Sequence, residues 1–324
     1  MRNLRCISLL CFALVCGLFC AHADDRFYVI KKDRYLPLFE NDELTRSFES
    51  GAKGCNCYKL DTVLLPGSVI KVIGDEKNGM VKVKCEMTKK VKHEGFVYTS
   101  SVDAFCEEFK KGDTKRERSP MSLTDIRSDF DRCLRNNVPY CWGSNQFATI
   151  SLPVKFSENT TNNNTTNNNT TNENTKEYEL RGFDCSGLLY YISDGTLPHA
   201  TGALKDFGTQ LFTIKAGKIW DIEFTKEVEQ AIAGLKDTDF IVIQGHVIIA
   251  YNGGLIEFRS KNLGCCFTSP KDIISQDASK SNEKDLVRKG IKNPVTLRVY
   301  DLYSSAKTKN SDVWFVRWHP EYAK

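Results

Sequence analysis

Three residues of this 324-residue chain have the types and spacing needed for nucleophilic catalysis: a cysteine, a histidine and a glutamate. Cys185 stands in Gly-Phe-Asp-Cys-Ser-Gly, directly before the apolar run 188–192. With Asp184 as the N-cap, we expect Cys185 in the first turn of a buried helix. The positive end of a helix dipole lowers the pKa of a thiol, and a nearby imidazole would complete a reactive thiolate–imidazolium pair.

His246 is the best candidate for that imidazole. It begins the predicted strand 246–251, and a strand holds a side chain rigidly. His199 follows a proline in a predicted loop, whereas His93 and His319 belong to other parts of the chain. We therefore expect substitution of His199 or His319 to matter less than substitution of His246.

Glu257 is predicted to orient the His246 ring. Asn252-Gly253 favours a two-residue hairpin turn, which places Glu257 opposite Ile248, diagonal to His246 and on the same sheet face. A three-residue turn would move Glu257 to the other face. Each of the three residues also fits an ordinary role, as a buried thiol, a core histidine or a solvated strand charge, so the chemistry depends on their meeting.

The elements that carry these residues indicate an α+β chain of two domains. Short strands without a helical period, separated by turn residues, predict a small all-β barrel over 24–106. A charged linker, 107–122, ends near Ser-Pro. Helical periodicity begins after it and places Ile126, Phe130, Cys133 and Leu134 on one face, so the second domain is predicted over 123–324.

The first residues and one internal tract indicate a secreted protein. Residues 1–23 read as a signal peptide, with an arginine-bearing start, a short apolar run and Ala-His-Ala at the cleavage site. We therefore expect secretion, or delivery to the lumen of a secretory or digestive compartment, and no membrane span after cleavage. The Asn/Thr-rich tract 157–176 is predicted to be a disordered loop with glycan acceptor triplets.

The cysteines carry a further expectation. Thirteen are present, and an odd number follows residue 23: Cys55, Cys57, Cys85, Cys106, Cys133, Cys141, Cys185, Cys265 and Cys266. In a secreted protein this predicts four disulfides, of open connectivity, with Cys185 as the single free thiol. Zinc at Cys55-x-Cys57 is disfavoured because no matching ligand pair follows. A net charge of +4 without a basic, aromatic-interleaved block excludes a nucleic-acid partner.

Three motifs together resemble the NlpC family of cell-wall cysteine peptidases. They are Pro139-Tyr-Cys-Trp-Gly143, Gly182-Phe-Asp-Cys-Ser-Gly-Leu188 and Gly245-His-Val-Ile-Ile-Ala-Tyr-Asn-Gly253. They occur in family order and cover roughly 123–260. The N-terminal part resembles a bacterial SH3-like barrel in Leu65-Pro-Gly-Ser-Val-Ile-Lys-Val72 and His93-Glu-Gly-Phe-Val-Tyr98.

The resemblance implies a papain-like peptidase domain with Cys185 as nucleophile, His246 as base and Glu257 as third residue. It also implies that Tyr140, Asp184 and Ser186 line the pocket and hold the free amine of an N-terminal L-alanine. The implied activity is hydrolysis of bacterial peptidoglycan stem peptides, attached or released, at the γ-D-glutamyl–diamino acid bond. The enzyme would be a monomer without cofactor or metal.

This sequence departs from the family pattern in several places. A long insertion separates the first two motifs, and the segment after Cys266 has no clear match. Cys141 is unusual within its motif and is a candidate for a disulfide. His199 stands where an arginine is common in the family. Two alternatives stay open. The same triad would serve an amidase or acyltransferase, and an inactive chain would be a wall-binding protein that uses its barrel.

Overall fold

A computed structural model of the chain describes residues 26–42, 47–51, 54–57, 59–110, 112–153, 157–158, 175–259, 263–272, 293–308 and 310–322. The predicted signal peptide and most of the Asn/Thr-rich tract lie outside these ranges, although the two ends of the tract, Ser157–Glu158 and Thr175–Leu180, form strands. Within the described residues the fold is α+β, as predicted, and no helix there is long and apolar enough to cross a membrane.

The strands are β1 Arg26–Ile30, β2 Leu36–Phe39, β3 Ser47–Gly51, β4 Gly54–Cys57, β5 Leu60–Leu64, β6 Val69–Val72, β7 Met80–Glu86, β8 Lys92–Tyr98, β9 Cys106–Glu108, β10 Tyr140–Trp142, β11 Ala148–Pro153, β12 Ser157–Glu158, β13 Thr175–Leu180, β14 Thr209–Ile214, β15 Phe240–Ile243, β16 His246–Tyr251, β17 Gly254–Phe258, β18 Cys265–Thr268 and β19 Val313–Arg317. The helices are α1 Thr99–Phe105, α2 Leu123–Arg135, α3 Gly187–Ile192, α4 Thr201–Leu204, α5 Ile222–Ala233 and α6 Pro294–Thr308, with a 3₁₀ turn at Pro320–Tyr322.

The N-terminal sheet has seven antiparallel strands in the order β5-β2-β8-β7-β6-β1-β9. Alternation along β7 explains its two faces. Val81, Val83 and Cys85 are buried, whereas Lys82 and Lys84 pair with Glu94 of β8 on the outside. There are two smaller sheets, β10-β4-β3-β12 and β11-β13. The first joins β3 and β4, which lie between β2 and β5 in sequence, to β10 and β12 of the later part of the chain.

The second large sheet has the order β14-β19-β15-β16-β17-β18 and is antiparallel throughout. Its central strand β15 is apolar at every position because both of its faces are covered. Phe240 and Val242 of β15 face a core shared with α2 and α3. Ile241 and Ile243 face a second core, which contains residues of α5 and α6. The site strands therefore lie in the most buried part of the molecule.

Helix α2 follows its predicted pattern. The Ser122 hydroxyl accepts the Asp125 backbone N–H at the N-terminus, and Ile126, Phe130 and Cys133 are buried on one face. Leu134 of that predicted face is only partly buried.

Helix α3 lies between the two large sheets. Its Leu188, Leu189 and Ile192 pack in the core of the C-terminal sheet, whereas Tyr190 is fully buried in the core of the N-terminal sheet. Arg118 of the linker region reinforces this contact, because it bonds Ser68 at 2.8 Å on one side and Asp194 at 3.0 Å on the other. The two sheets are thus joined through the segment that follows Cys185.

The prediction of a single free thiol is wrong. Cys85, Cys106, Cys133, Cys185, Cys265 and Cys266 are all free. Four of them are buried in apolar cores, where an unpaired cysteine packs as a small hydrophobic side chain. Cys141 is disulfide-bonded. An odd cysteine count therefore does not single out Cys185 in this chain.

Candidate active site

The β16–β17 hairpin has the predicted register. Asn252 and Gly253 both have positive φ, 47° and 71°, as a two-residue type I′ turn requires. Ala250 pairs with Leu255 and Ile249 with Ile256, so Glu257 lies on the same face as His246. The His246 Nε2 atom is 2.8 Å from a Glu257 carboxylate oxygen. The predicted meeting of these two side chains is confirmed.

Two arginines share the Glu257 carboxylate with His246. Arg259 donates to Oε1 at 2.8 Å, and Arg298 of α6 donates to both oxygens at 2.8 and 2.7 Å. Although burial of Glu257 opposes ionisation, these hydrogen bonds and positive charges hold its pKa well below the ordinary value. Glu257 is therefore a fixed negative charge behind the imidazole.

Arg298 was not found from the sequence. It lies in the segment after Cys266, which matched no motif, and an arginine in an amphipathic stretch normally reads as a surface charge. The clue available in the sequence was Arg259, two residues after Glu257. A buried glutamate beside a histidine needs compensating positive charge, so further basic residues were to be expected around it. Only the packing of α6 against the sheet brings Arg298 to that carboxylate.

Cys185 lies just before α3 rather than in its first turn. The helix begins at Gly187 with Ser186 as N-cap, so the expectation of a dipole-lowered thiol pKa is wrong. Burial is the main reason that the pKa of Cys185 is raised to about 12, and the negative charge of Asp184 raises it further. Hydrogen bonds with backbone groups, including Val247, lower the pKa but do not offset these effects. The contact with Val247 places the thiol at the start of β16, next to His246 in the chain. Cys185 is therefore a neutral thiol at neutral pH.

Asp184 is the hydrogen-bonded centre of the nucleophile loop. Its Oδ1 accepts the backbone N–H groups of Ser186 at 3.0 Å and Gly187 at 2.7 Å, and the Ser186 hydroxyl at 3.2 Å. Its Oδ2 accepts the Gly143 N–H at 3.1 Å. Asp184 thus caps α3 as predicted, although Ser186 occupies the formal N-cap position. The carboxylate also anchors the loop that follows Tyr140.

His199 completes this arrangement. Its Nε2 lies 2.9 Å from each oxygen of Asp184, and its Nδ1 lies 2.9 Å from the hydroxyl of Thr62 in β5. Burial opposes charge on both groups of the pair, yet their mutual attraction wins, so the pKa of His199 is raised and that of Asp184 is lowered. The structure therefore contains a second carboxylate–imidazole pair beside the nucleophile.

Tyr140 and Asp61 both lie close enough to Asp184 to feel its charge. Burial, with the charges of Asp184 and Cys185 nearby, raises the pKa of Tyr140. Asp61 of β5 is exposed, yet partial desolvation raises its pKa. The charge of His199 lowers the pKa of Asp61, and the charges of Glu40 and Asp184 raise it. Asp61 is thus accessible to solvent and close enough to His199 and Asp184 to feel their charges. Sequence reasoning missed Asp61 because nothing in β5 marks it as part of the site.

Comparison with known proteins adds little to this geometry. No family model matches the chain, and no curated protein matches it. A solved structure, "Structure of NlpC2 from Trichomonas vaginalis", aligns over 76% of this chain and 93% of that chain, with 11% sequence identity and a TM-score of 0.26. A TM-score this low does not establish a common fold, so the assignment of function depends on the residues themselves.

Proposed function

We propose that the protein is a secreted cysteine peptidase that hydrolyses bacterial peptidoglycan stem peptides at the γ-D-glutamyl–diamino acid bond. The observation that carries the proposal is the 2.8 Å contact between His246 and Glu257. His246 begins β16, the strand whose Val247 backbone is hydrogen-bonded to the Cys185 thiol. Nucleophile, base and orienting carboxylate stand in the order that thiol proteases use. The sequence motifs that resemble the NlpC family supply the substrate class, a papain-like domain and an SH3-like N-terminal sheet.

The geometry indicates how the proton moves. Because Glu257 engages Nε2 of His246, the other ring nitrogen, Nδ1, is left to accept the Cys185 proton. A thiol with a pKa near 12 does not wait as a thiolate, so deprotonation accompanies attack on the carbonyl carbon. The sulfur–carbon bond forms, His246 returns the proton to the departing amine, and water then hydrolyses the acyl-enzyme. The Cys185 backbone N–H is the proposed oxyanion donor, together with a neighbouring group.

The proposed substrate group is a free amine at the start of the stem. Asp184 already accepts hydrogen bonds from Ser186, Gly187, Gly143 and His199. Asp61 is exposed beside it, so we propose that Asp61 supplies the charge that holds the ammonium, with Asp184 contributing its field. A hydrogen bond between charged groups contributes roughly 1.5–3 kcal/mol, so blocking the amine should lower the rate about ten- to a hundredfold.

The test uses one synthetic stem peptide, L-alanyl-γ-D-glutamyl-diamino acid-D-alanine, in free and N-acetylated forms. Mass spectrometry of the products from the full chain should show release of L-alanyl-γ-D-glutamate from the free form, and none with Cys185→Ala. Asp61→Asn should reduce the preference for the free amine, whereas Asp75→Asn, in an exposed turn of the same sheet, should not.

Three outcomes would contradict the proposal in different ways. Equal rates on the two peptides would mean an open cleft without amine recognition. Transfer of the acyl group to an added amine, without hydrolysis, would favour the acyltransferase. Co-sedimentation with purified walls, without any new amino terminus, would favour a wall-binding protein.

A further inference from the structure

A hydroxyl of the N-terminal sheet lies against the imidazole that holds Asp184. Thr62 is fully buried in β5, and its Oγ1 is 2.9 Å from His199 Nδ1. The same oxygen accepts the Asn145 side-chain amide at 2.8 Å, while that amide also donates to the Val63 carbonyl at 3.1 Å. Thr62 is thus a buried meeting point of the N-terminal sheet with two loops of the C-terminal part.

A continuous series of hydrogen bonds leads from Thr62 to the nucleophile. His199 contacts Thr62 through one ring nitrogen and both oxygens of Asp184 through the other. Asp184 in turn accepts the backbone N–H groups of Ser186 and Gly187, the two residues that follow Cys185. Every side chain in this series is buried, so no solvent molecule replaces a lost partner without rearrangement.

We propose that Thr62 is a positioning residue of the active site, and that the N-terminal sheet completes the catalytic centre through it. The reasoning concerns the charge on His199. A buried imidazolium needs an acceptor for each N–H, and Thr62 supplies the acceptor at Nδ1. Without it the ring turns away, Asp184 loses a donor, and the backbone around Cys185 shifts. The catalytic consequence rests on the proposed function of Cys185; the structural coupling does not.

The interface offers a matched control. Ser68 also lies on the N-terminal sheet, and its hydroxyl accepts a hydrogen bond from Arg118 at 2.8 Å, which bonds Asp194. Neither Ser68 nor Arg118 is hydrogen-bonded to Asp184 in the described residues. Ser68→Ala therefore weakens docking of the sheet without touching the series that begins at Thr62.

The experiment compares Thr62→Val, Thr62→Ser and Ser68→Ala in the full chain. Thr62→Val keeps the side-chain shape, and Asn145 keeps its bond to Val63. Three quantities are measured: kcat and KM on the free stem peptide, the iodoacetamide labelling rate of Cys185 followed by mass mapping, and the NMR titration of His199. Mass mapping is needed because several other thiols are free.

For Thr62→Val we expect kcat to fall about tenfold with KM changed less than about twofold, and the labelling rate to change by about threefold or more. His199 should lose its proton at lower pH, because the charged ring has lost an acceptor. Thr62→Ser should restore all three, and Ser68→Ala should leave them unchanged. If Thr62→Val does not fold, Thr62→Ala serves in its place.

Failure of this inference is distinguishable from failure of the proposed function. If the wild-type chain cleaves no stem peptide, labelling and titration still test the coupling. Unchanged labelling and unchanged titration in Thr62→Val would overturn the inference. The inference would also be overturned if Thr62→Ser did not restore the measured values, or if Ser68→Ala had an effect equal to that of Thr62→Val. Either result would mean that Thr62 contributes only to the packing of the N-terminal sheet against the rest of the chain.

Discussion

The structure holds two carboxylate–imidazole pairs, Asp184–His199 and Glu257–His246, and they differ in what surrounds the imidazole. The His199 side chain is 1% exposed, and both of its nitrogens have protein partners, Asp184 and Thr62. The His246 side chain is 19% exposed, and in the described part of the chain only its Nε2 has a hydrogen-bond partner. The same two chemical groups therefore form a fixed support in one case and an available proton acceptor in the other.

The largest effect is expected at Cys185. Cys185→Ala should lower the turnover of the free stem peptide by at least about a thousandfold, because it removes the proposed nucleophile. Circular dichroism and the unfolding midpoint should change little, since the removed sulfur is small. Residual turnover near the wild-type rate in a folded variant would remove Cys185 from the mechanism.

The two histidines should then separate activity from stability. His246→Ala should abolish turnover while changing the free energy of unfolding by less than about 1 kcal/mol, because Glu257 keeps both arginines. His199→Ala leaves the buried Asp184 charge without its imidazolium and should cost roughly 3 kcal/mol or more. The expectation from sequence that His199 matters little therefore changes.

Denaturant unfolding and stem-peptide cleavage, measured on the same preparations, check this separation. His319→Ala is a suitable third variant, since His319 is also buried but its partners, the Met121 carbonyl and the Glu321 backbone N–H, are far in sequence from Cys185. If His199→Ala were as stable as the wild type, Asp184 would not depend on the pair, and the proposed division between the two imidazoles would be wrong.

Sequence reasoning predicted the His246–Glu257 contact correctly but missed the partners of Asp184. The His246–Glu257 contact was predictable because a two-residue turn fixes hairpin register over a few residues, and Asn-Gly specifies that turn. The Asp184–His199–Thr62 arrangement was not, because it joins residues far apart in the chain: His199 and Thr62 are separated by 137 positions. No local pattern encodes a contact between separate sheets.

The same distinction explains the thiol. A helix start was predictable from Asp184 and the apolar run, but the pKa of Cys185 depends on how much protein covers the sulfur. Likewise, successive residues of β15 face two different cores, which a continuous apolar run does not predict. Helices α5 and α6 cover one face of this strand, and their sequences carry no motif. Burial is a property of the assembled layers rather than of the segment.

The pH dependence of stability should report the Asp184–His199 pair. The folded pKa of His199 lies above its ordinary value of 6.5, so its contribution is complete below that pH and is lost as pH rises through the folded pKa. The folded pKa of Asp184 lies below its ordinary 3.8, so its contribution is complete above that pH and is lost on further acidification. The pair therefore stabilises most between about pH 4 and 6.5.

The measurement is the free energy of unfolding of wild type and His199→Gln between pH 5 and 9. The difference between them should shrink as pH rises, because the wild type alone loses the imidazolium. A difference that stays constant would show that folding leaves the His199 pKa at its ordinary value, and one that grows between pH 5 and 7 would show that His199 is neutral in the folded protein. Either result would mean that Asp184 is stabilised by backbone groups without an imidazolium.

The smallest and most specific effect concerns the arginines behind Glu257. Arg298→Gln removes a guanidinium that neutralises Glu257, while Arg259 still holds Oε1. The carboxylate then favours a protonated His246 more strongly, and only the unprotonated ring can act as the base, so the acidic limb of the kcat/KM profile should move to higher pH while kcat falls only a few-fold, about three to ten. Asp301→Asn, which removes a second carboxylate bonded to Arg298, is the control. A shift of the acidic limb to lower pH would instead mean that Arg298 chiefly holds Glu257 in place, since a displaced carboxylate stabilises the imidazolium less. The two carboxylate–imidazole pairs would then be alike, in that a neighbouring cationic group fixes each carboxylate.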